Sequence, residues 1–218
     1  MKTLVIDIGG NNVKILATGE TEPRKFPSGP TMTPAQMVAG VKKLASVWKY
    51  DRISIGYPGV IVQGEIIVEP HNLAPKWVAF DFEKAFGCPV KLLNDAAMQA
   101  LGNYNKGILL FLGLGTGLGS ALIVNGHVVP MELGHLPYKK GTYESYVGIL
   151  GLEKSGKKKW IKNVDDIINR MINAFHPDDI VIGGGNAKKL MNLPDGCRIV
   201  DNASAFTGGF RMWEKKRI

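Results

Sequence analysis

The chain has only two cysteines in 218 residues, Cys88 and Cys197. They lie far apart and form no CxxC pair, so the sequence offers neither a disulfide framework nor a cysteine-based metal site, and it suits a reducing cytoplasm. No apolar stretch free of glycine or polar breaks reaches the roughly 20 residues of a membrane span. The opening "MKTLVIDIGG" is too short and too quickly acidic for a secretion signal and reads as a strand. Acidic residues are outnumbered 19 to 27, which leaves a net charge of +8 and favours a polyanionic partner over an acid-rich one. The excess is local: Lys139 and Lys140, then Lys154, Lys157, Lys158 and Lys159, then Lys215, Lys216 and Arg217. Aromatics make up 8% and do not interleave with these runs, so single-stranded nucleic acid is not indicated. "KKKW" reads as a solvated helix start that would also suit a long polyanion.

Strand and helix patterns alternate along the chain, which defines an α/β protein. "TLVIDIGGNNVKILATG" is strand, glycine turn, strand. Residues 34–49 place Met37, Val41, Leu44, Ala45 and Trp48 on one helical stripe behind Pro34. "RISIG" and "GEIIVEP" read as strands, and "WVAFDFEKAFG" as a helix ending at Gly87. "PVKLLND" is a strand running into the helix "DAAMQALGNY". "GILLFLGLG" and "GLGSALIVNGHVV" are strands, the second folded at Asn125-Gly126. "KKKWIKNVDDIINRMINAF" is a helix with Trp160, Val164, Ile167, Ile168, Met171, Ile172 and Phe175 facing inward. "DDIVIGGGNAKKL" is strand, glycine turn, helix, and a last helix is expected over about 203–216. His71, His127 and His176 read as loop residues, and the four tryptophans as core.

Glycine is abundant, and its placement carries the chemistry. "FLGLGTGLGS" has glycine at 113, 115, 117 and 119. It lacks the terminal lysine of a P-loop, and the strand-like "SALIVNG" follows where a dinucleotide loop would open a helix. What remains is a hairpin whose glycines, Gly115 and Gly117 among them, let backbone N–H groups crowd round an anion, with Thr116 adding a hydroxyl. "IDIGGNNVKILA" from Ile6 echoes "LGLGTGLGSALI" from Leu112: apolar positions coincide at Ile6/Leu112, Ile8/Leu114 and Leu16/Leu122, and Gly9 meets Gly115. The echo suggests a duplicated lobe. Two such corners, the first comprising Gly9, Gly10, Asn11 and Asn12 with Lys14 nearby, could hold a phosphate chain from both sides. Asp7 at the first corner would order Mg²⁺ through water, or serve only as a strand-end turn carboxylate.

Asp95 ends a strand in "LLND", where a carboxylate can take the proton of an attacking hydroxyl or cap the following helix. Glu132 and His135 in "ELGH" are three apart and share a face if the segment is helical, a pairing suited to vicinal hydroxyls or to a plain surface turn. Gly183, Gly184 and Gly185 precede an expected helix, whose N-terminus would favour an anion.

The ordered set "DIGGNNVK", "YPGV", "LLNDAAMQALG", "LGLGTGLGSALIVNG", "ELGH" and "IGGGNAKKL" resembles the ROK sugar kinases over almost the whole chain. The stretches "ELGHLPYKKGTYESYVG" and "LEKSGKKKW" are most similar to polyphosphate-using members. The resemblance implies an actin-like ATPase (ribonuclease H-like) two-lobed α/β fold with a central cleft. Residues 1–103 would form a small N-terminal lobe, 104–202 a C-terminal lobe, and a helix over 203–218 would pack back on the first. It implies that Asn94 and Asp95 hold the sugar, with Asp95 as base, and that Glu132, His135 and Glu144 touch its hydroxyls. It puts Gly183–Gly185 beside the adenosine of a nucleotide. The expected reaction is phosphoryl transfer from polyphosphate, with ATP as a further donor, to the 6-hydroxyl of glucose, with Mg²⁺. The rival readings are an ATP-dependent hexose kinase of other sugar choice and a sugar-sensing regulator. Against the regulator, Met1-Lys2-Thr3 leads directly into the first strand and is expected to leave no room for a helix-turn-helix.

Two departures from the family pattern stand out. Many members carry a cysteine-rich stretch after "GH" that binds zinc with the histidine; "LPYKKGTYES" has no cysteine, so no zinc is expected. Asn11 stands where threonine or serine is common, which puts a hydroxyl contact to phosphate in doubt. The partners implied are glucose, polyphosphate or ATP and a second copy of the chain in a homodimer, with no nucleic acid and no membrane.

Overall fold

The computed structural model describes residues 1–201 and 203–214. The chain divides into two compact units: Met1–Gly102 together with the segment starting at Ala205, and Asn103–Ser204.

In the first unit, strands β1 (Thr3–Ile8), β2 (Asn12–Ala17) and β3 (Arg24–Pro27) are followed by helix α1 (Pro34–Leu44) and strand β4 (Arg52–Tyr57). A small hairpin, β5 (Ile61–Val62) and β6 (Glu65–Ile66), leads to α2 (Phe82–Phe86), β7 (Val90–Asn94) and α3 (Asp95–Asn103). The sheet order is β3-β2-β1-β4-β7, with β1, β4 and β7 parallel. Alternation along β1 sorts its side chains between two layers. Leu4, Ile6 and Ile8 pack with Met37 and Val41 of α1, whereas Val5 packs with Met98 of α3.

The second unit opens with β8 (Ile108–Leu114), β9 (Leu118–Val124) and β10 (His127–Pro130). A small hairpin, β11 (Pro137–Tyr138) and β12 (Gly141–Thr142), precedes helices α4 (Tyr143–Val147), α5 (Ile149–Ser155) and α6 (Lys157–Phe175), then β13 (Asp179–Gly183) and β14 (Cys197–Ile199). Its sheet order is β10-β9-β8-β13-β14. The two sheets therefore repeat one plan: an antiparallel three-strand meander whose first strand also pairs in parallel with a later strand, which in turn pairs in parallel with another. β1 and β8, which carry the two echoing sequence segments, occupy the same place in their sheets. The inward stripe of α6, Trp160, Val164, Ile167, Ile168 and Met171, packs on Leu110, Leu112 and Leu114 of β8.

The last described helix, α7 (Ser204–Arg211), belongs to the first unit. Two glycines let it pack closely: a Cβ at Gly208 would run into the Met98 carbonyl of α3, and one at Gly209 into the Val5 side chain. Ser54 Oγ ties it further, donating to the Gly209 carbonyl at 2.6 Å.

Several expected elements are shorter than their patterns. α1 stops at Leu44, although Trp48 beyond it is still buried. "GEIIVEP" pairs only at Glu65–Ile66. α2 begins at Phe82 because Asp81 caps it, its carboxylate accepting from Lys84 N at 2.9 Å; Gly87, at φ 78°, ends it. His127 lies in a strand, not a loop. Trp48, Trp77 and Trp160 are buried, but Trp213 is only half-buried, with Lys91 Nζ 4.5 Å from its ring centre. The expected helix over 203–218 is helical to Arg211, and its last four residues, with Lys215, Lys216 and Arg217, lie outside the described residues. Among the described residues, no helix is long and apolar enough to cross a membrane.

Candidate active site

In the first unit, the polar candidates gather at the carboxyl ends of the parallel strands, the end at which open α/β sheets receive ligands. Asp7 is near the end of β1, paired across the ladder with Lys14 of β2 and with Gly56 of β4. Burial pushes the Asp7 carboxyl above its ordinary value, and the Lys14 charge opposes that rise. The corner beyond it is tight: Gly9 N donates to Asn12 O at 3.0 Å, and Ser28 anchors it, Oγ donating to Gly9 O at 2.6 Å and N to Asn11 O at 3.0 Å. Gly10 faces Asn72, 3.7 Å from the place a Cβ would take.

Asn94 and Asp95 mark the junction of β7 and α3. Asn94 performs the capping: its Oδ1 accepts from Ala97 N at 3.1 Å and its Nδ2 donates to Gly59 O at 3.0 Å. Asp95 is the first helical residue, and its Oδ1 accepts from Ala96 N at 2.8 Å. Because Leu93 pairs with Gly56 and Gly56 with Asp7, the Asp7 and Asn94–Asp95 positions stand two strands apart, about 10 Å. A separate cavity of about 630 Å³ beside Trp77, Phe82, Val90 and Leu92 contains none of these polar residues.

In the second unit, the glycine hairpin, the "ELGH" turn and α4 converge. Gly115 N donates to Gly117 O at 3.2 Å, closing the corner around Thr116. Glu144 Oε2 accepts from Leu118 N at 3.2 Å, and a Cβ at Gly117 would occupy the place of the Glu144 carboxylate. Gly134 packs on the same group, the Cβ position lying 3.4 Å from Glu144 Oε2 and 3.0 Å from Leu118 O. Leu133–His135 is a single 3-10 turn, so Glu132 and His135 do share a side: His135 Nε2 is 3.9 Å from Glu132 Oε2, and both side chains are exposed. Ser120 holds this turn to β9, accepting from Leu133 N at 3.1 Å.

The third glycine run differs from its pattern. Gly183 lies within β13, opposite Gly113, and Gly184 at φ 87° leaves no room for a side chain against the Leu114 backbone. Only the 3-10 turn Ala187–Lys189 follows, so the helix N-terminus expected to favour an anion at Gly183–Gly185 is not there. The run is a close-packing device as well as a turn. Asn186 links it to the second corner: its Nδ2 donates to Gly115 O at 3.1 Å and its Oδ1 accepts from Lys189 Nζ at 2.7 Å.

Ser28, Gly56, Ser120 and Asn186 were not singled out from the sequence. They act through strand register and packing, and a lone serine, asparagine or β-strand glycine carries no signal of that kind.

The chain belongs to the ROK family, whose family model matches residues 3–148. Its fold is the actin-like ATPase fold of the ROK sugar kinases. Among individual proteins, it is 30% identical over 208 residues to a polyphosphate glucokinase of Mycobacterium tuberculosis, covering 84% of this chain and 77% of that one. It is similar in structure to the inorganic polyphosphate/ATP-glucomannokinase of Arthrobacter sp. strain KM, with a TM-score of 0.81, 25% identity and 95% and 96% of the two chains covered. A ROK family glucokinase from Streptomyces griseus, solved with glucose and AMPPNP, shares the fold at a TM-score of 0.73 and 16% identity, covering 95% of this chain and 97% of that one.

Proposed function

We propose that this protein is a polyphosphate-dependent glucokinase that also accepts ATP. The observation that carries the reading is the placement of Asp95, at the carboxyl end of a parallel strand and on the first turn of α3, with its neighbour Asn94 taking over the capping. A carboxylate at this strand end, where open α/β sheets receive ligands, is placed to act on substrate.

In this reading, the 6-hydroxyl of glucose attacks the terminal phosphorus of the donor. Asp95 takes the hydroxyl proton as the new O–P bond forms, and the bridging P–O bond breaks toward the shortened phosphate chain or ADP. Asn94 orients the sugar beside Asp95. Glu132, His135 and Glu144 exchange hydrogen bonds with the other hydroxyls. The corner backbone at Gly10, Asn11 and Asn12, and at Thr116 and Gly117, donates to phosphate oxygens of the donor, with Lys14 adding charge, while Gly9 and Gly115 shape the two corners through their own bonds to Asn12 O and Gly117 O. Gly183–Gly185 takes the nucleoside when ATP is the donor.

Asp7 is the residue that would hold Mg²⁺. Its carboxylate is buried and raised, a condition a cation relieves. Among the described residues, no group of three or more His, Cys, Asp or Glu could hold a metal, so the ion would be held mainly by water and phosphate oxygens, as Mg²⁺ is in phosphate sites. When bound, it neutralises charge on the transferring phosphoryl group.

The test is an assay of purified protein with Mg²⁺, a panel of hexoses and either polyphosphate or ATP. Glucose 6-phosphate formation from polyphosphate is the expected outcome. Turnover with ATP alone, or with another hexose alone, would replace the proposed donor or acceptor. Tight sugar binding without turnover would favour a regulator.

A further inference from the structure

We propose that Lys139 is a positioning residue for the acceptor sugar, acting as a clamp that fixes the distance between the Glu132–His135 turn and the helix that carries Glu144. The inference rests on the sugar-kinase reading above.

The hairpin β11–β12 joins these two pieces directly, with His135 two residues before β11 and Glu144 two residues after β12. Its two-residue tip is Lys139-Lys140, and Lys139 has φ 53°. A left-handed tip of this kind ordinarily takes asparagine or glycine. A lysine there is disfavoured unless its side chain does something.

Its ammonium group does. Lys139 Nζ donates to Asn163 Oδ1 at 2.6 Å, reaching from the hairpin to the buried face of α6. It also lies 4.7 Å from the ring centre of Tyr138 and 5.4 Å from that of Tyr146, the latter on α4 two residues beyond Glu144. The two rings meet edge to face at 5.1 Å. One cation therefore bridges the hairpin, α4 and α6 through a hydrogen bond and two cation–π contacts. Asn163 is itself buried, and its Nδ2 has no partner among the described residues, so its bond to Lys139 is what its side-chain oxygen contributes there. The Tyr138 hydroxyl completes the frame, donating to Asp166 Oδ2 of α6 at 2.7 Å. Lys140, the other tip residue, joins through its backbone N–H, which donates to the Tyr146 hydroxyl at 3.4 Å.

The decisive variant is Lys139→Gly. Glycine adopts the left-handed backbone without strain, so the substitution removes the clamp while easing the turn. Lys140→Ala removes the same charge from the same hairpin and serves as control, and Lys139→Arg restores a cation able to stack on the tyrosines. In steady-state kinetics, Lys139→Gly is expected to raise the glucose KM about tenfold, with kcat and the polyphosphate KM within about twofold of the parent and a modest fall in Tm, since buried Asn163 Oδ1 loses its donor. Lys140→Ala should match the parent, and Lys139→Arg should recover most of the lost acceptor affinity. An unchanged glucose KM in Lys139→Gly overturns the clamp while leaving the kinase reading intact. So does a parallel loss of stability, acceptor affinity and turnover, which would mark a purely structural lysine. A parent protein inert toward every hexose overturns the kinase reading, and this inference with it.

Discussion

Asp95 stands directly over Gly56: a Cβ added at Gly56 would lie 3.6 Å from the Asp95 Cα and would run into the Met98 side chain. The absence of a side chain at this position of β4 is thus what leaves room for Met98 of α3 against the sheet, below the first turn that carries Asp95. Gly56→Ala forces either Met98 or the helix to move. Overpacking of this kind costs about 1–3 kcal/mol. Thermal denaturation should show the loss, and turnover should fall further than stability alone explains, because α3 carries the proposed base. A variant with parental kcat and lowered Tm would show that Met98 alone yields.

Asp95→Asn tests the base itself. Asparagine keeps an oxygen for Ala96 N, and Asn94 still caps α3, so the fold should be retained. Removing a general base lowers kcat by about 10²–10⁴-fold. Circular dichroism and Tm should match the parent while glucose 6-phosphate formation drops by that factor. Retained turnover would remove Asp95 from the chemistry.

Asp7 makes a pH-dependent prediction. Burial raises its carboxyl above the ordinary 3.8, so the folded state holds this proton more tightly than the unfolded chain does. Stability from this group is present below pH 3.8 and is lost as pH rises through the elevated folded value. Asp7→Asn, neutral at every pH, should therefore raise Tm at pH 7 and lose that advantage as the medium is acidified toward pH 3.8. The same variant should need more Mg²⁺ for any residual turnover. A Tm difference that does not vary with pH would rule out the buried charge as its source.

The strands and the long helix were readable because they rest on periodicity. The apolar stripe of α6 matches its observed bounds at both ends, and Asn125-Gly126 turns β9 into β10 with φ 48° and 80°, as those residues favour. The repeated glycine corners were readable as well, because each follows a buried strand and precedes another. What could not be read was decided by tertiary contact. Gly184 looks like the start of a helix-opening loop, but its backbone is pressed against Leu114, and the chain manages only a 3-10 turn beyond it. Asp95 could be read as the cap of α3, but the bond from Ala97 N goes to Asn94 Oδ1, which nothing in the sequence gives reason to prefer. Trp213 looked like core, yet it lies across the unit's surface with its Nε1 donating to Ser54 Oγ at 2.9 Å.

The contact between Gly117 and Glu144 gives the last prediction. Glu144 is held by Leu118 N, in space that a side chain at position 117 would take. Gly117→Ala must therefore displace the carboxylate, whereas Glu144→Gln leaves an oxygen for Leu118 N and alters only what the group offers a sugar hydroxyl. If Glu144 binds the acceptor, both variants should raise the glucose KM by about tenfold, the usual order for one lost hydrogen bond to a charged group. Only Gly117→Ala should also raise the polyphosphate KM, since it alone disturbs the backbone corner formed by Gly115, Thr116 and Gly117. Measuring both KM values for both variants separates the two functions of one loop. If Glu144→Gln weakened the donor and left glucose untouched, Glu144 would belong to the phosphate corner and not to the sugar.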